Sequence, residues 1–107
     1  MSKISIKLRG KDGKMKIYEQ MWVPTRKLLE AMEITSDNYP SMVDINHKQV
    51  EFIASLFDQK EVTADAIMDG VAAWKFNEFV DGVLDQLMGI DPNSQKEEES
   101  QETKPKA

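Results

Sequence analysis

The stretch WKFNEFVDGVLDQLM, Trp74 to Met88, decides the reading of the whole chain. Its apolar residues Phe76, Phe79, Val80, Val83, Leu84, Leu87 and Met88 recur at the three- and four-residue spacing of a helix with one broad apolar stripe. Asn77, Glu78, Asp81, Asp85 and Gln86 fill the other face, which is strongly acidic. Gly82 interrupts the helix at a cost of about 1 kcal/mol against Ala. Gly89, with Pro92 just beyond, supplies a C-cap and a stop. A stripe this wide must lie on something, so the rest of the chain is read for what covers it.

Upstream, Ser2 to Arg9 alternates Ile4, Ile6 and Leu8 with Ser5, Lys7 and Arg9, the period of a half-buried strand. Gly10-Lys11-Asp12-Gly13 is a turn signal, and a second strand follows from about Lys14 to Met21, making a β-hairpin over 2–21. The expected core face combines Ile4, Ile6 and Leu8 with Met15 and Ile17, leaving Lys14, Lys16 and Tyr18 outside. A lone hairpin is marginal in water, so it must pack on helices or on another chain's sheet, and its edges are candidate pairing surfaces.

Pro24 suits the first position of a helix running to Ile34, with Leu28, Leu29, Met32 and Val23 as its stripe. Ser36 to Ser41 is a loop around Pro40. A second helix, capped by Asp44 or Asn46, ends near Phe57 or Asp58; Val50, Ile53, Ala54 and Phe57 form its core face, with Leu56 on the flank. Thr63 caps a short helix that Gly70 closes. After Ile90 the segment DPNSQKEEESQETKPKA has no apolar residue before Ala107 and is expected to be a disordered acidic tail whose removal leaves the melting temperature almost unchanged. The expected fold is therefore α+β and mostly helical: an N-terminal β-hairpin, about four helices within 24–90, and the tail at 91–107.

Composition narrows the function classes. With no Cys among 107 residues, disulfides, thiol catalysis and thiolate metal sites are excluded. No apolar run approaches the roughly 20 residues that cross a bilayer, and no signal region follows the start, so a soluble protein with no membrane partner is expected. The net charge of −5 is unevenly spread. Residues 1–27 carry eight Lys/Arg against two acids, whereas residues 28–90 carry three against twelve. His47 is the only histidine and has no nucleophile context around it. The acids lie singly on helix faces, and the glycines match no phosphate-binding fingerprint. No enzyme activity, cofactor or metal is expected. Lys3, Lys7, Arg9, Lys11, Lys14 and Lys16, with Tyr18 and Trp22, give the hairpin some nucleic-acid-binding character, which the acidic body opposes.

The segment Leu56 to Met88 carries a phrase in which Phe57, Val62-Thr63, Asp65 and Asp69-Gly70 precede the closing helix residues Phe79, Val83 and Leu84. In this it resembles the tail assembly chaperones of long-tailed phages (siphophages) that infect Gram-positive bacteria. Lys7-Leu8-Arg9, Tyr18-Glu19-Gln20 and Arg26 to Glu30 are similar in order and spacing, so the resemblance covers roughly residues 1–90. Met68 stands where the family usually has an aromatic residue.

The resemblance implies a non-catalytic protein of the host cytoplasm that binds and solubilises the tape measure protein before the tail tube polymerises around it. It also implies contact with tail tube protein through a longer, frameshifted product, whose junction would fall in the tail. A Met-rich apolar surface with an acidic rim suits many related amphipathic helices. Trp22, Met42, Leu56, Met68 and Trp74 fit least well into the stripes above and are the expected partner-binding residues. The hairpin's basic face against acidic helices would allow homo-oligomers. A small adaptor or inhibitor acting by protein contact, and a basic-hairpin nucleic-acid binder, are the competing readings.

Overall fold

The computed structural model describes residues 3–90. The element order is β1 (Ile4–Arg9), β2 (Met15–Gln20), α1 (Thr25–Met32), α2 (Met42–Ser55), α3 (Ala64–Gly70), a 3-10 turn (Ala73–Lys75) and α4 (Phe76–Leu87). A two-stranded antiparallel hairpin followed by four helices is the α+β, mostly helical architecture that the sequence patterns predict. The expected tail at 91–107 and Ser2, the first residue of the expected hairpin, lie outside the described residues.

Local chemistry explains where the elements stop and start. The hairpin turns at Gly13, whose φ of +83° needs a residue without Cβ. Gly10 donates to the Lys14 carbonyl at 2.8 Å, and Asp12 Oδ1 accepts from the Lys14 amide. Pro24 sits one place before the first turn of α1 as its N-cap. The α2 cap is Ser41, not Asp44 or Asn46: its hydroxyl accepts from the amides of Val43 and Asp44, and the helix begins four residues before Asn46. Thr63 caps α3 as expected, accepting from the Ala66 amide at 3.0 Å. At the end of α4, Gly89 takes φ +78°. The Gly89 amide then donates to Gln86, and the Ile90 amide to Asp85, which satisfies two otherwise orphan carbonyls.

The core is built by β1 and three helices. Ile4, Ile6 and Leu8 meet Val50, Phe52, Ile53, Leu56 and Phe57 of α2 and its end, together with Val62, Ile67, Val80 and Val83. Phe52 joins this set although the sequence pattern had not placed it there. The centre of the α4 stripe is Val80 and Val83; Phe76, Phe79, Leu84 and Leu87 pack around it half-buried, and Met88 is exposed. Neither β2 nor α1 contributes a buried apolar residue. In α1 the inward side carries Ala31, next to Val23 and Ile34, while Leu29 and Met32 point to solvent, against the expected stripe.

Register reverses the expected faces of β2. The pairs are Ile4–Gln20, Ser5–Glu19, Ile6–Tyr18, Lys7–Ile17, Leu8–Lys16 and Arg9–Met15. Opposed residues share a face, so Tyr18 and Lys16 lie on the core side with Ile4, Ile6 and Leu8. Met15 and Ile17 lie outside with Lys7 and Arg9. The cause is the parity of the connection. Strands that end at Arg9 and restart at Met15 pair even numbers with even, and side chains alternate faces with a period of two.

Two helices close the free side of β1. The Ser5 amide donates to Gln86 Oε1 at 2.8 Å, and Gln86 Nε2 donates back to the Ser5 carbonyl at 3.1 Å. Gly70, the last residue of α3, comes so near that a Cβ there would stand 3.0 Å from the Arg9 carbonyl oxygen. That close approach explains a glycine whose neighbours are backbone rather than solvent.

Candidate functional site

The described surface is rich in large apolar side chains, and their identity is informative. Met15, Met21, Met32, Met42, Met68 and Met88 are all exposed; every described methionine is outside the core. Both tryptophans are more exposed still, Trp22 at 78% and Trp74 at 84%. Methionine is commonly a filler of irregular core gaps, and here it fills none. A small domain that keeps these flexible thioethers in water presents an adaptable apolar surface.

Four of these eight side chains, Met15, Met21, Trp22 and Trp74, line one of two recesses. A groove of about 490 Å³ runs between the outer face of the hairpin and α4, with Met15, Val71, Trp74 and Phe79 along its sides. Lys7, Lys75 and Glu78 stand in its lining as the charged groups. Trp74 reaches it because the 3-10 turn Ala73–Lys75, closed by the Lys75 amide on the Ala72 carbonyl at 2.9 Å, swings the chain out before α4 begins. Gly82 also lines the groove, and a Cβ at Gly82 would meet nothing within 4 Å. The α4 backbone is therefore bare where the groove passes it. A second niche of about 400 Å³ lies at the other end of the hairpin, among Met21, Trp22, Val23 and Leu87.

Of the residues expected to bind a partner, Trp74 lines the groove and Trp22 the second niche. Met42 and Met68 are exposed but line neither. Leu56 is a correction: it is 4% exposed and belongs to the core. A helical wheel put it on a flank, but α2 ends at Ser55 and Leu56 is its C-cap, so it turns under the domain with Phe57. Sequence reasoning missed Met15 and Met21. Counting the residues of the hairpin connection would have found Met15; no local signal separates Met21 from a core residue.

The basic cluster of the hairpin is divided. Lys7 and Arg9 lie on the outer face, Lys16 lies on the opposite one with its Nζ 5.2 Å from the centroid of the Tyr18 ring, and Lys3 pairs with Glu19 at 2.9 Å. A cleft of about 880 Å³ between the hairpin turn and α3 mixes Arg9, Lys11, Lys14 and Lys16 with Asp12, Asp65 and Asp69. It offers no single-sign track for a phosphate backbone. Among the described residues no group of three or more His, Asp or Glu side chains could hold a metal ion, and no described helix is long and apolar enough to cross a membrane. What the arrangement can do is bind apolar surface by shape.

The comparisons agree with that chemistry. A family model described as phage tail chaperone protein matches residues 1–104. No curated protein and no solved structure matches the chain. The match spans the hairpin, all four helices and the groove between hairpin and α4, and on it the chain belongs to the phage tail chaperone protein family.

Proposed function

We propose that this tail chaperone binds amphipathic helical segments of the tape measure protein and keeps them soluble until tail tube subunits polymerise around them. The setting we assign is the cytoplasm of a Gram-positive host infected by a siphophage. Tail tube protein is a second partner, reached through a longer frameshifted product. The observation that carries this reading is the exposure of every described methionine together with both tryptophans.

A client helix lays its apolar face along a groove and reads it at three- and four-residue intervals. The groove beside α4 has apolar walls from Met15, Val71, Trp74 and Phe79, and the glycine backbone of α4 at Gly82 allows close approach. Thioethers repack to fit different client sequences, which suits one small protein coating one very long one. Many weak sites on a single client add up to strong binding without a tight individual contact.

Co-expression of the tape measure protein with this chain tests the proposal. The soluble fraction of the client rises with the wild type and falls back with Trp74→Ala. A client no more soluble with the wild type than alone refutes the chaperone–client pair. Equal rescue by the variant leaves the pair standing and removes the groove from it.

A further inference from the structure

The two edges of the hairpin are treated differently. On β1, Ser5 gives both backbone groups to Gln86, and α3 presses Gly70 against Arg9. These contacts also fix which residues of β2 face outward. Since Ser5 points away from β2, the Ile4–Gln20, Ile6–Tyr18 and Leu8–Lys16 pairs exchange the strand bonds. Met15, Ile17 and Glu19 then turn their amides and carbonyls away from β1. Glu19 confirms the geometry, because its carbonyl accepts from Gln59 Nε2 at 2.9 Å, outside the hairpin. The amide and carbonyl of Ile17 have no protein partner among the described residues. Beside this open edge runs a groove of about 640 Å³ that includes Ile17, Met21 and Glu61. The Ile17 side chain is 57% exposed, and β2 buries no apolar residue in its own domain.

We propose that the open edge of β2 is a self-association site, where two copies pair antiparallel about a two-fold axis at Ile17. The product is one four-stranded sheet in the order β1-β2-β2-β1, a more stable unit than two separate hairpins. The occupant is a second copy because the edge is complementary to itself. Lys14 and Lys16 stand at one end of β2; Glu61 lines the groove at the other, where the Glu19 carboxylate is already paired with Lys3. Antiparallel pairing lays the basic end of each copy on the acidic end of its mate, whereas parallel pairing sets like against like.

Register follows from the same residues. The outward backbone groups belong to odd-numbered positions, so odd pairs with odd across the new interface. Centring on Ile17 opposes Ile17 with its own copy, Met15 with Glu19, and Lys16 with Tyr18, the ring it already approaches within its own chain. Centring on Lys16 would oppose two ammonium groups. Centring on Tyr18 would break the Ile17–Ile17 contact and set the stiff β-branched Ile17 against the Glu19 carboxylate, a place that the chosen register gives to the flexible Met15. Gln59 uses one lone pair of the Glu19 carbonyl and leaves the other for the Met15 amide. The lysines that discourage indiscriminate edge pairing thus exclude the Lys16-centred register, and the Ile17 contact favours its own. Met15 also lines the groove beside α4, so a dimer places two client grooves on one continuous sheet.

The test needs no client and so separates this inference from the function proposed above. Sedimentation equilibrium of the full chain gives the mass of a dimer for the wild type and of a monomer for Ile17→Lys, with the circular dichroism of the two alike. The chain has no cysteine, so Ile17→Cys introduces a single thiol. A bonded antiparallel pair holds its Cα atoms about 5.5 Å apart, within disulfide reach. Mild oxidation then joins Ile17→Cys chains far faster than Lys7→Cys chains, whose thiol lies on the neighbouring strand. A wild type that stays monomeric at high concentration, or equal cross-linking at the two positions, overturns the proposal. Should Ile17→Lys fail to fold, the cysteine pair decides alone.

Discussion

Two helical glycines respond to the same substitution with opposite sign. Gly82 lies inside α4, and a Cβ there meets nothing within 4 Å. Gly82→Ala therefore collects the full helix-propensity difference, about 1 kcal/mol of added stability. For a domain of this size that is a rise in melting temperature of roughly 4–8 °C. Gly70 ends α3, where the propensity gain is smaller, and its Cβ would stand 3.0 Å from the Arg9 carbonyl oxygen, 3.1 Å from Leu8 Cβ and 3.2 Å from the Arg9 amide nitrogen. Two of these atoms are strand backbone and cannot retreat without disturbing the pairing of Arg9 with Met15. Overpacking of this kind costs about 1–3 kcal/mol, so Gly70→Ala should lose roughly 1–2 kcal/mol net. Urea unfolding followed by circular dichroism, with equal slopes required of all three proteins, measures both changes. A Gly70→Ala variant as stable as the wild type would show that α3 does not press on β1. A destabilised Gly82→Ala would show that something within the domain does occupy the space beside α4.

Gln86→Ala removes the side chain that satisfies both backbone groups of Ser5, and with the edge half-buried the loss should be about 1–3 kcal/mol in the same assay; a neutral result would mean that water replaces both bonds. Ser41→Ala should cost about 1 kcal/mol by uncapping α2, while Asn46→Ala costs much less, because the helix begins at Met42 and not at Asn46; the reverse order in thermal melts would relocate the start of α2.

The elements of this protein were legible because their causes are local. The α4 stripe, the Gly89 stop, the Thr63 cap and the β1 alternation each lie within a few consecutive residues, and the structure contains them all. The family resemblance was legible for the same reason, since it rests on the spacing of caps and apolar positions in one continuous segment. The start of α2 was misplaced because Ser41, Asp44 and Asn46 are all competent caps, and only the fold chooses among them.

Which apolar residues face water is a different matter, because it depends on relations between elements. Met15 and Ile17 read as core from their alternation, yet the register of the hairpin puts them outside, since a shift of one residue exchanges the faces of a whole strand. Leu56 read as surface from a helical wheel that had already ended at Ser55. The methionines could be counted in the sequence, but whether the described ones filled the core or left it depended on whether β1 and three helices fill the interior without them. They do, with Ile, Val, Leu and Phe side chains alone. Helix and strand formation answers to neighbours along the chain, whereas exposure is what remains after distant segments have packed, and the surface proposed to bind the client is made of that remainder.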